Sequence, residues 1–192
     1  MKKIILASTS PRRIELLKKL NIKFSVEDSQ YTEDMGLKLL PIDLAKHLAV
    51  NKAKAVAEKH SSGVVIGADT FVVLGKKLLG KPKDKADARK MLKMISGKAV
   101  SVITGFAIVD AKTKRKHSDY STAKVFIKKL SPMEIDWYIR TREPLDKAGA
   151  FAVQGYGAVL IRKLEGDFFS IVGLPIYKLT GALKKFGVEV IK

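Results

Sequence analysis

The most constraining feature of this sequence is an apolar run from Val64 to Leu74 that contains a single carboxylate, Asp69. A run so rich in β-branched residues predicts a strand buried on both faces at the centre of a sheet. Burying an ionised carboxylate costs several kcal/mol unless a cation or several hydrogen-bond donors compensate it. Asp69 is therefore either a structural residue bound by backbone amides at a kink beside Gly67, or a catalytic or metal-facing group.

Two arginines lie at the start of the first predicted helix. Ser10 suits the N-cap, Pro11 suits the first helical position, and Arg12 and Arg13 fall in the first turn. A helix start that follows hydroxyl groups such as that of Ser8 and carries arginines is typical of an anion site. The alternative is an ordinary capped helix with surface arginines.

A lysine interrupts the apolar stripe of the second predicted helix, which runs from Pro41 to about Lys59. Lys52 shares its stripe with Leu48 and other apolar residues, whereas Lys54 falls outside the stripe. Lys52 therefore either extends its amine to solvent or pairs with an anion in a cleft, and periodicity does not decide between the two.

The rest of the chain alternates strands and helices. The predicted strands are 3–7, 24–28, 64–74, 100–109, 120–128, 158–164 and 188–191, and the predicted helices are 11–20, 41–59, 84–95, 132–140 and 175–186. Residues 29–40 are predicted to be irregular. This alternation predicts an α/β fold with helices flanking a central sheet, and a hairpin of strands 100–109 and 120–128 makes that sheet mixed. We interpret residues 1–192 as one domain.

The composition restricts the class of partner. The formal charge is +18, from 37 basic and 19 acidic residues, which favours a polyanionic partner: nucleic acid, an anionic membrane surface or a phosphorylated substrate. The basic residues are spread along the chain and not interleaved with exposed aromatics, which disfavours a nucleic-acid-binding protein. Because the chain contains no cysteine, we expect no disulfide framework and no thiolate metal site. Because it contains no apolar run of membrane-spanning length, we expect a soluble, cytoplasmic protein.

These residues together suit a triphosphate bound with a divalent metal ion. Cations neutralise phosphate oxygens, two carboxylates hold the ion, and one carboxylate orients water. Asp69 and Glu33 are the candidate carboxylates, and Lys81 in a short loop adds a further cation. The chain contains no P-loop pattern, and its three histidines lack the spacing of metal ligands.

The sequence also resembles the Maf family of nucleotide pyrophosphatases along its whole length. The matching segments are 6–17 (LASTSPRRIELL), 48–53 (LAVNKA), 67–73 (GADTFVV), 80–84 (GKPKD), 104–105 (TG), 143–149 (EPLDKAG), 154–157 (QGYG) and 171–175 (IVGLP). The resemblance implies a two-lobed α/β fold around a mixed sheet with a cleft between the lobes, similar to that of the inosine triphosphatase family. It also implies hydrolysis of a nucleoside triphosphate to the monophosphate and pyrophosphate, with Mg²⁺ or Mn²⁺ as the cofactor.

Carried over residue by residue, the resemblance implies roles for nine positions. Asp69 resembles the catalytic acid that activates water, and Glu33 resembles the second acid near the metal, so both are predicted to hold the ion. The positions that resemble the phosphate-binding set are Ser8, Arg12, Arg13, Lys52 and Lys81. The positions that match those setting base preference are Arg12, Thr70 and Gln154.

The central signature also implies a subfamily. Ala-Asp-Thr at 68–70 is similar to members that act on dTTP and UTP, whereas a sister subfamily that acts on 7-methyl-GTP has Asp-Gln at that point. The chain departs from the family at Val100, where many members have a histidine, and at Thr32 and Glu33, where an Asp-Glu pair is usual. We expect a dTTP and UTP pyrophosphatase that also suits modified pyrimidine nucleotides, without a membrane or a specific nucleic acid as partner.

Two other functions stay open at this point. One is a basic nucleic-acid-binding protein without turnover, and the other is a regulator of cell division, because the Maf name is tied to septum formation. The sequence does not decide whether the chain forms a homodimer.

Overall fold

The computed structural model describes residues 2–34 and 37–190, which form a seven-stranded sheet with flanking helices. The strands are Ile4–Leu6 (β1), Ser25–Val26 (β2), Val64–Leu74 (β3), Lys77–Leu79 (β4), Ala99–Asp110 (β5), Lys116–Ile127 (β6) and Ile161–Gly166 (β7). The helices are Pro11–Lys18 (α1), Pro41–Ala57 (α2), Lys85–Ile95 (α3), Pro132–Arg140 (α4), Phe168–Val172 (α5) and Ile176–Lys185 (α6). None of these helices has both the length and the apolar character to cross a membrane.

The sheet is mixed, as the sequence predicts. Its strand order is β2-β1-β3-β5-β6-β7, with β4 paired to β3 outside this path. β1 pairs in parallel with β2 and β3, whereas β3 pairs antiparallel with β4 and β6 pairs antiparallel with β7. β5 and β6 are neighbours joined by residues 111–115, which is the predicted hairpin. The predicted mixed α/β fold is therefore confirmed.

β3 is the buried strand that the apolar run predicts. It spans Val64–Leu74, and within it all residues except Thr70 and Leu74 are buried. A strand covered on both faces needs no polar alternation, and this is why an almost continuous apolar run encodes it. Asp69 lies within this strand and is 6% exposed.

The chain divides into two compact units, in agreement with the two lobes that the resemblance implies. The first consists of Met1–Asp69, Thr104–Ser121 and Gly173–Lys192, and the second of Thr70–Ile103 and Thr122–Val172. Each unit has its own apolar core: one includes Ile5, Ala53 and Val65, and the other includes Leu92 and Tyr138. Three strands, β3, β5 and β6, supply residues to both units. That residues 1–192 form one domain stays a prediction.

In the first unit, two glycines allow α2 to lie directly on the sheet. A Cβ added at Gly67 of β3 would lie 2.3 Å from the Ala49 carbonyl oxygen and 2.9 Å from the Ala53 nitrogen. A Cβ added at Gly105 of β5 would lie 2.5 Å from the Ala45 carbonyl. The helix backbone therefore occupies the space that a side chain at either position would need.

The chain departs from the predicted elements mainly after residue 154. Within the predicted strand 158–164, residues 158–160 belong to a 3₁₀ helix, Gly155–Leu160, and only 161–164 lie in β7. The 3₁₀ helix begins at Gly155, whose positive φ of 65° favours glycine. The short helix α5 was not predicted. The predicted closing strand 188–191 is wrong over residues 188–190, and Ile191 lies outside the described residues. Residues 29–34 and 37–40 are irregular, as predicted, while residues 35 and 36 also lie outside the described part.

Candidate active site

Lys52 lies between two carboxylates in the first unit. Its Nζ donates to Asp69 Oδ1 at 2.5 Å and lies 2.6 Å from Glu33 Oε1. α2 presents Lys52, β3 presents Asp69, and the irregular segment 29–34 presents Glu33. The Lys52 side chain is only 12% exposed, so the lysine that interrupts the apolar stripe pairs with anions and does not extend to solvent.

The close contact of α2 with β3 explains how Lys52 reaches the strand. The backbone of Ala49 and Ala53 lies against Gly67, two residues before Asp69. Lys52 lies between these two alanines on the same helix, so its side chain begins near the strand and spans only the remaining distance to the carboxylate. Gly67 therefore allows the close packing of α2 on β3 that brings Lys52 to Asp69.

Burial and nearby charges act in opposite directions on Asp69. Burial raises the pKa of Asp69, while Lys52 and Arg13 oppose the rise, and the net effect is a pKa above the usual value. Burial also lowers the pKa of Arg13, against the opposing effect of Asp69. A buried carboxylate with a raised pKa and two compensating cations is a candidate general base.

The start of α1 holds Arg13 in a fixed position. Arg13 Nη1 donates to Ser8 Oγ at 3.2 Å, and Arg13 Nε donates to the Gly173 carbonyl oxygen at 3.0 Å. The Ser8 hydroxyl also accepts from the Ser10 nitrogen at 3.3 Å, and helix α1 begins at Pro11, as predicted. Arg13 is half-buried and bonded on two sides, so it is not the surface arginine of an ordinary capped helix.

The first unit thus brings together most of the predicted site residues. These are Ser8, Arg13, Glu33, Lys52 and Asp69, with Arg12 half-buried beside Arg13 in α1. The other three predicted residues belong to the second unit. There Thr70 follows Asp69 in β3 and is half-buried. Lys81, between β4 and α3, is exposed, and so is Gln154, which directly precedes the 3₁₀ helix Gly155–Leu160. The roles of all nine residues stay predictions.

A second contact between α2 and the segment 29–34 was missed from the sequence. Asn51 Nδ2 donates to Tyr31 Oη at 3.2 Å and lies 2.8 Å from His47 Nε2. Asn51 and Lys52 are neighbours in α2, and Tyr31 and Glu33 both belong to the segment 29–34. Two consecutive helix residues therefore bind the same segment. The only sequence signal is the spacing of His47 and Asn51, which places them one helical turn apart.

The two carboxylates suit a divalent ion. Oxygens of Asp69 and Glu33 both approach one positive charge, the Lys52 amine. Mg²⁺ is commonly held by one or two carboxylates together with substrate phosphate oxygens. The described residues contain no group of three or more His, Cys, Asp or Glu that could hold a metal by itself. A divalent ion at Asp69 and Glu33 stays a prediction.

Fold and site together define an α/β protein whose central strand carries a buried carboxylate compensated by a lysine and an arginine. The chain belongs to the Maf-like protein family, whose model matches residues 3–186. The resemblance seen in the sequence is thereby confirmed.

Relatives of this chain are similar over nearly their full lengths. A dTTP/UTP pyrophosphatase of Alkaliphilus oremlandii is 48% identical, covering 96% of each chain. The dTTP/UTP pyrophosphatase of Methanosarcina barkeri is 47% identical, and the match covers 99% of this chain and 97% of that relative. The dTTP/UTP pyrophosphatase of Bacillus cytotoxicus is 46% identical, and the match covers 97% of this chain and 96% of that relative. Among solved structures, that of the Staphylococcus aureus Ham1 protein has a TM-score of 0.44 and 14% identity, over 66% of this chain and 72% of that one.

Proposed function

We propose that this protein hydrolyses dTTP and UTP to the nucleoside monophosphate and pyrophosphate, with the help of a divalent metal ion. The observation that carries the proposal is the 46–48% identity, over at least 96% of the chain, to relatives named dTTP/UTP pyrophosphatases. The arrangement of Asp69, Lys52 and Glu33 in the first unit supports it, because phosphoanhydride hydrolysis needs a base, cations and a metal-facing acid.

In the proposed reaction Asp69 is the general base. Water attacks the α- or the β-phosphorus as Asp69 accepts a proton from it, and the α–β phosphoanhydride bond breaks. The bridging oxygen and its negative charge leave with pyrophosphate after attack at the α-phosphorus, or with the monophosphate after attack at the β-phosphorus. The raised pKa of Asp69 favours this role, because a base of higher pKa accepts a proton more readily. A bound Mg²⁺ or Mn²⁺ would be held by Asp69 and Glu33 and would neutralise charge on the phosphate oxygens.

The proposed phosphate-binding residues supply positive charge and donors. Lys52 has an ammonium group already directed at the carboxylates, and Arg13 is fixed by Ser8 and the Gly173 carbonyl. A cation fixed before the substrate binds loses little side-chain entropy on binding, and this favours the transition state. Arg12 and Lys81 complete the set.

We propose that Gln154 selects the base, together with Thr70 and Arg12. The amide of Gln154 offers both a donor and an acceptor, which suits the acceptor–donor–acceptor edge of uracil and thymine. Gln154 is exposed and lies next to Gly155, where the backbone can approach a ligand closely. A site that hydrogen-bonds one base rejects others because its own polar groups go unpaired, at about 1–3 kcal/mol each.

A substrate panel tests this function. We expect turnover of dTTP and UTP, with ATP and GTP poorer by at least about tenfold, on the order of one unpaired polar group. CTP is the sharpest comparison, since its 4-amino group reverses part of the edge that uracil presents. The measurement is release of monophosphate and pyrophosphate from each nucleotide. Preference for 7-methyl-GTP over UTP would contradict the base assignment but not the pyrophosphatase chemistry.

A further inference from the structure

The carboxylate of Glu143 binds the backbone of the segment that follows Gln154. In the second unit, Glu143 Oε1 accepts from the Tyr156 nitrogen at 3.1 Å, and Glu143 Oε2 accepts from the Gly157 nitrogen at 2.7 Å. Two successive N–H groups thus donate to the two oxygens of one carboxylate. Hydrogen bonds to an ionised acceptor are among the stronger ones in proteins.

The turn at Gly155 is shaped around this carboxylate. Gly155 has a φ of 65°, which disfavours residues other than glycine. A Cβ added there would lie 2.0 Å from Glu143 Oε1. The backbone conformation therefore favours glycine at the position directly after Gln154, and a side chain there would displace the Glu143 carboxylate.

The chain on the other side of Gln154 is held by Tyr138. This tyrosine is fully buried, and its hydroxyl accepts from the Ala152 nitrogen at 3.0 Å. Its hydroxyl also bonds to Glu143, and burial together with this carboxylate raises the pKa of Tyr138. Glu143 and Tyr138 therefore fix the backbone both before and after Gln154, while the Gln154 side chain stays exposed.

Glu143 is itself held by its neighbours. Its nitrogen donates to Thr141 Oγ1 at 3.2 Å, and its carbonyl oxygen accepts from Lys147 Nζ at 3.4 Å. Arg142 has a positive φ of 61°, which marks a sharp turn just before Glu143. A half-buried carboxylate with this support is a rigid anchor for a loop.

We propose that Glu143 is a positioning residue for base recognition: it fixes the backbone of residues 154–157, so that the Gln154 amide meets the base in one orientation. The inference rests on the proposed role of Gln154. Because the Glu143 carboxylate is already bonded to the backbone of the loop, its loss should affect the choice of base more than the chemical step.

The first experiment measures base discrimination in Glu143→Gln. The amide has the same shape but presents an NH₂ group to one of the two backbone N–H donors, so one hydrogen bond is lost. We expect the ratio of kcat/KM for UTP to that for CTP to fall at least about tenfold, mainly through KM for UTP. The control is Glu165→Gln, which removes an exposed carboxylate of β7 that is paired with Lys163, and it should leave the ratio unchanged.

A double-mutant cycle shows whether Glu143 acts through Gln154. Gln154→Ala should lower the UTP/CTP ratio, and adding Glu143→Gln should then lower it little further, because the positioned group is gone. If Gln154→Ala lowers the ratio and Glu143→Gln does not, the positioning role is wrong although the proposed function stands. If Gln154→Ala leaves the ratio unchanged, the base role of Gln154 fails, and the positioning role fails with it.

Amide hydrogen exchange tests the structural half of the inference without any substrate. In Glu143→Gln, the amides of Tyr156 and Gly157 should exchange at least about tenfold faster than in the wild type, because their acceptor is weakened. Amides of the core strand β3 should be unaffected, which would show that the variant is folded. Unchanged protection of Tyr156 and Gly157 would overturn the proposal.

Discussion

Asp69 combines a buried position with a raised pKa, and both follow from its place in an apolar strand. We expect Asp69→Asn to lower kcat by about a hundredfold or more, the usual contribution of a positioned general base. The amide has the same shape and no charge, so the strand should still fold. The measurement is kcat for UTP, with circular dichroism as the control for folding. Near-normal turnover in a folded variant would remove Asp69 from the mechanism.

Lys52 and Lys54 provide a comparison between two lysines of one helix. Lys52 bonds to Asp69 and lies beside Glu33, whereas Lys54 lies off the inward stripe and is half-buried. Lys52→Ala should lower kcat/KM for UTP by at least about tenfold, and Lys54→Ala should have little effect, because only Lys52 makes a short, partly buried contact. Lys81→Ala should also lower kcat/KM, because Lys81 is proposed to bind phosphate. Equal losses at Lys52 and Lys54 would indicate general surface electrostatics instead of a specific site.

The sequence indicates which side chains face inward better than it indicates what they contact. Helical periodicity placed Lys52 on the inward stripe, but it could not choose between solvent and an anion. That choice depends on Glu33, which comes from an irregular segment, and on the close approach that Gly67 allows. The sequence does not mark Glu143 as a positioning residue, because its carboxylate binds backbone N–H groups and no side-chain pattern indicates them.

At the scale of the elements, two glycines should respond to alanine with opposite signs. Gly67→Ala should lower the melting temperature, because overpacking a core costs about 1–3 kcal/mol and the added Cβ would meet the backbone of α2. Gly181→Ala should raise it by a degree or more, since alanine is better in a helix by about 0.5–1 kcal/mol and an added Cβ would meet no described atom within 4 Å apart from its chain neighbours and the adjacent backbone of its own helix. Thermal unfolding measures both. A stable Gly67→Ala would contradict the direct contact of α2 with β3.

Periodic elements were predicted closely, and aperiodic ones were not. β3 has the predicted bounds, and α3 and α4 agree within one residue, because their apolar spacing and caps are local signals. The 3₁₀ helix Gly155–Leu160 and the five-residue helix α5 are too short to show a period. Residues 188–190 include two β-branched valines but form no strand, a fact that only tertiary structure reveals.

At the scale of the whole molecule, the charge of +18 should act on the rate at which an anionic substrate arrives. Raising the ionic strength from about 20 to about 200 mM should lower kcat/KM for UTP and leave kcat nearly unchanged, because screening weakens long-range attraction but not contacts within the site. Steady-state kinetics at several salt concentrations measure this. Salt-sensitive binding to random DNA without turnover of any nucleotide would instead support the nucleic-acid-binding alternative.

The division of the chain into units has a consequence for its synthesis. The second unit is complete in sequence at Val172, whereas the first unit has a segment that precedes the second unit and still needs residues from Gly173 onward, including helix α6. A nascent chain leaves the ribosome from its N-terminus, so the unit that starts first is finished last. The carbonyl of Gly173 that orients Arg13 is made 160 residues after that arginine. This hydrogen bond of Arg13 can therefore form only after the whole of the second unit has been synthesised.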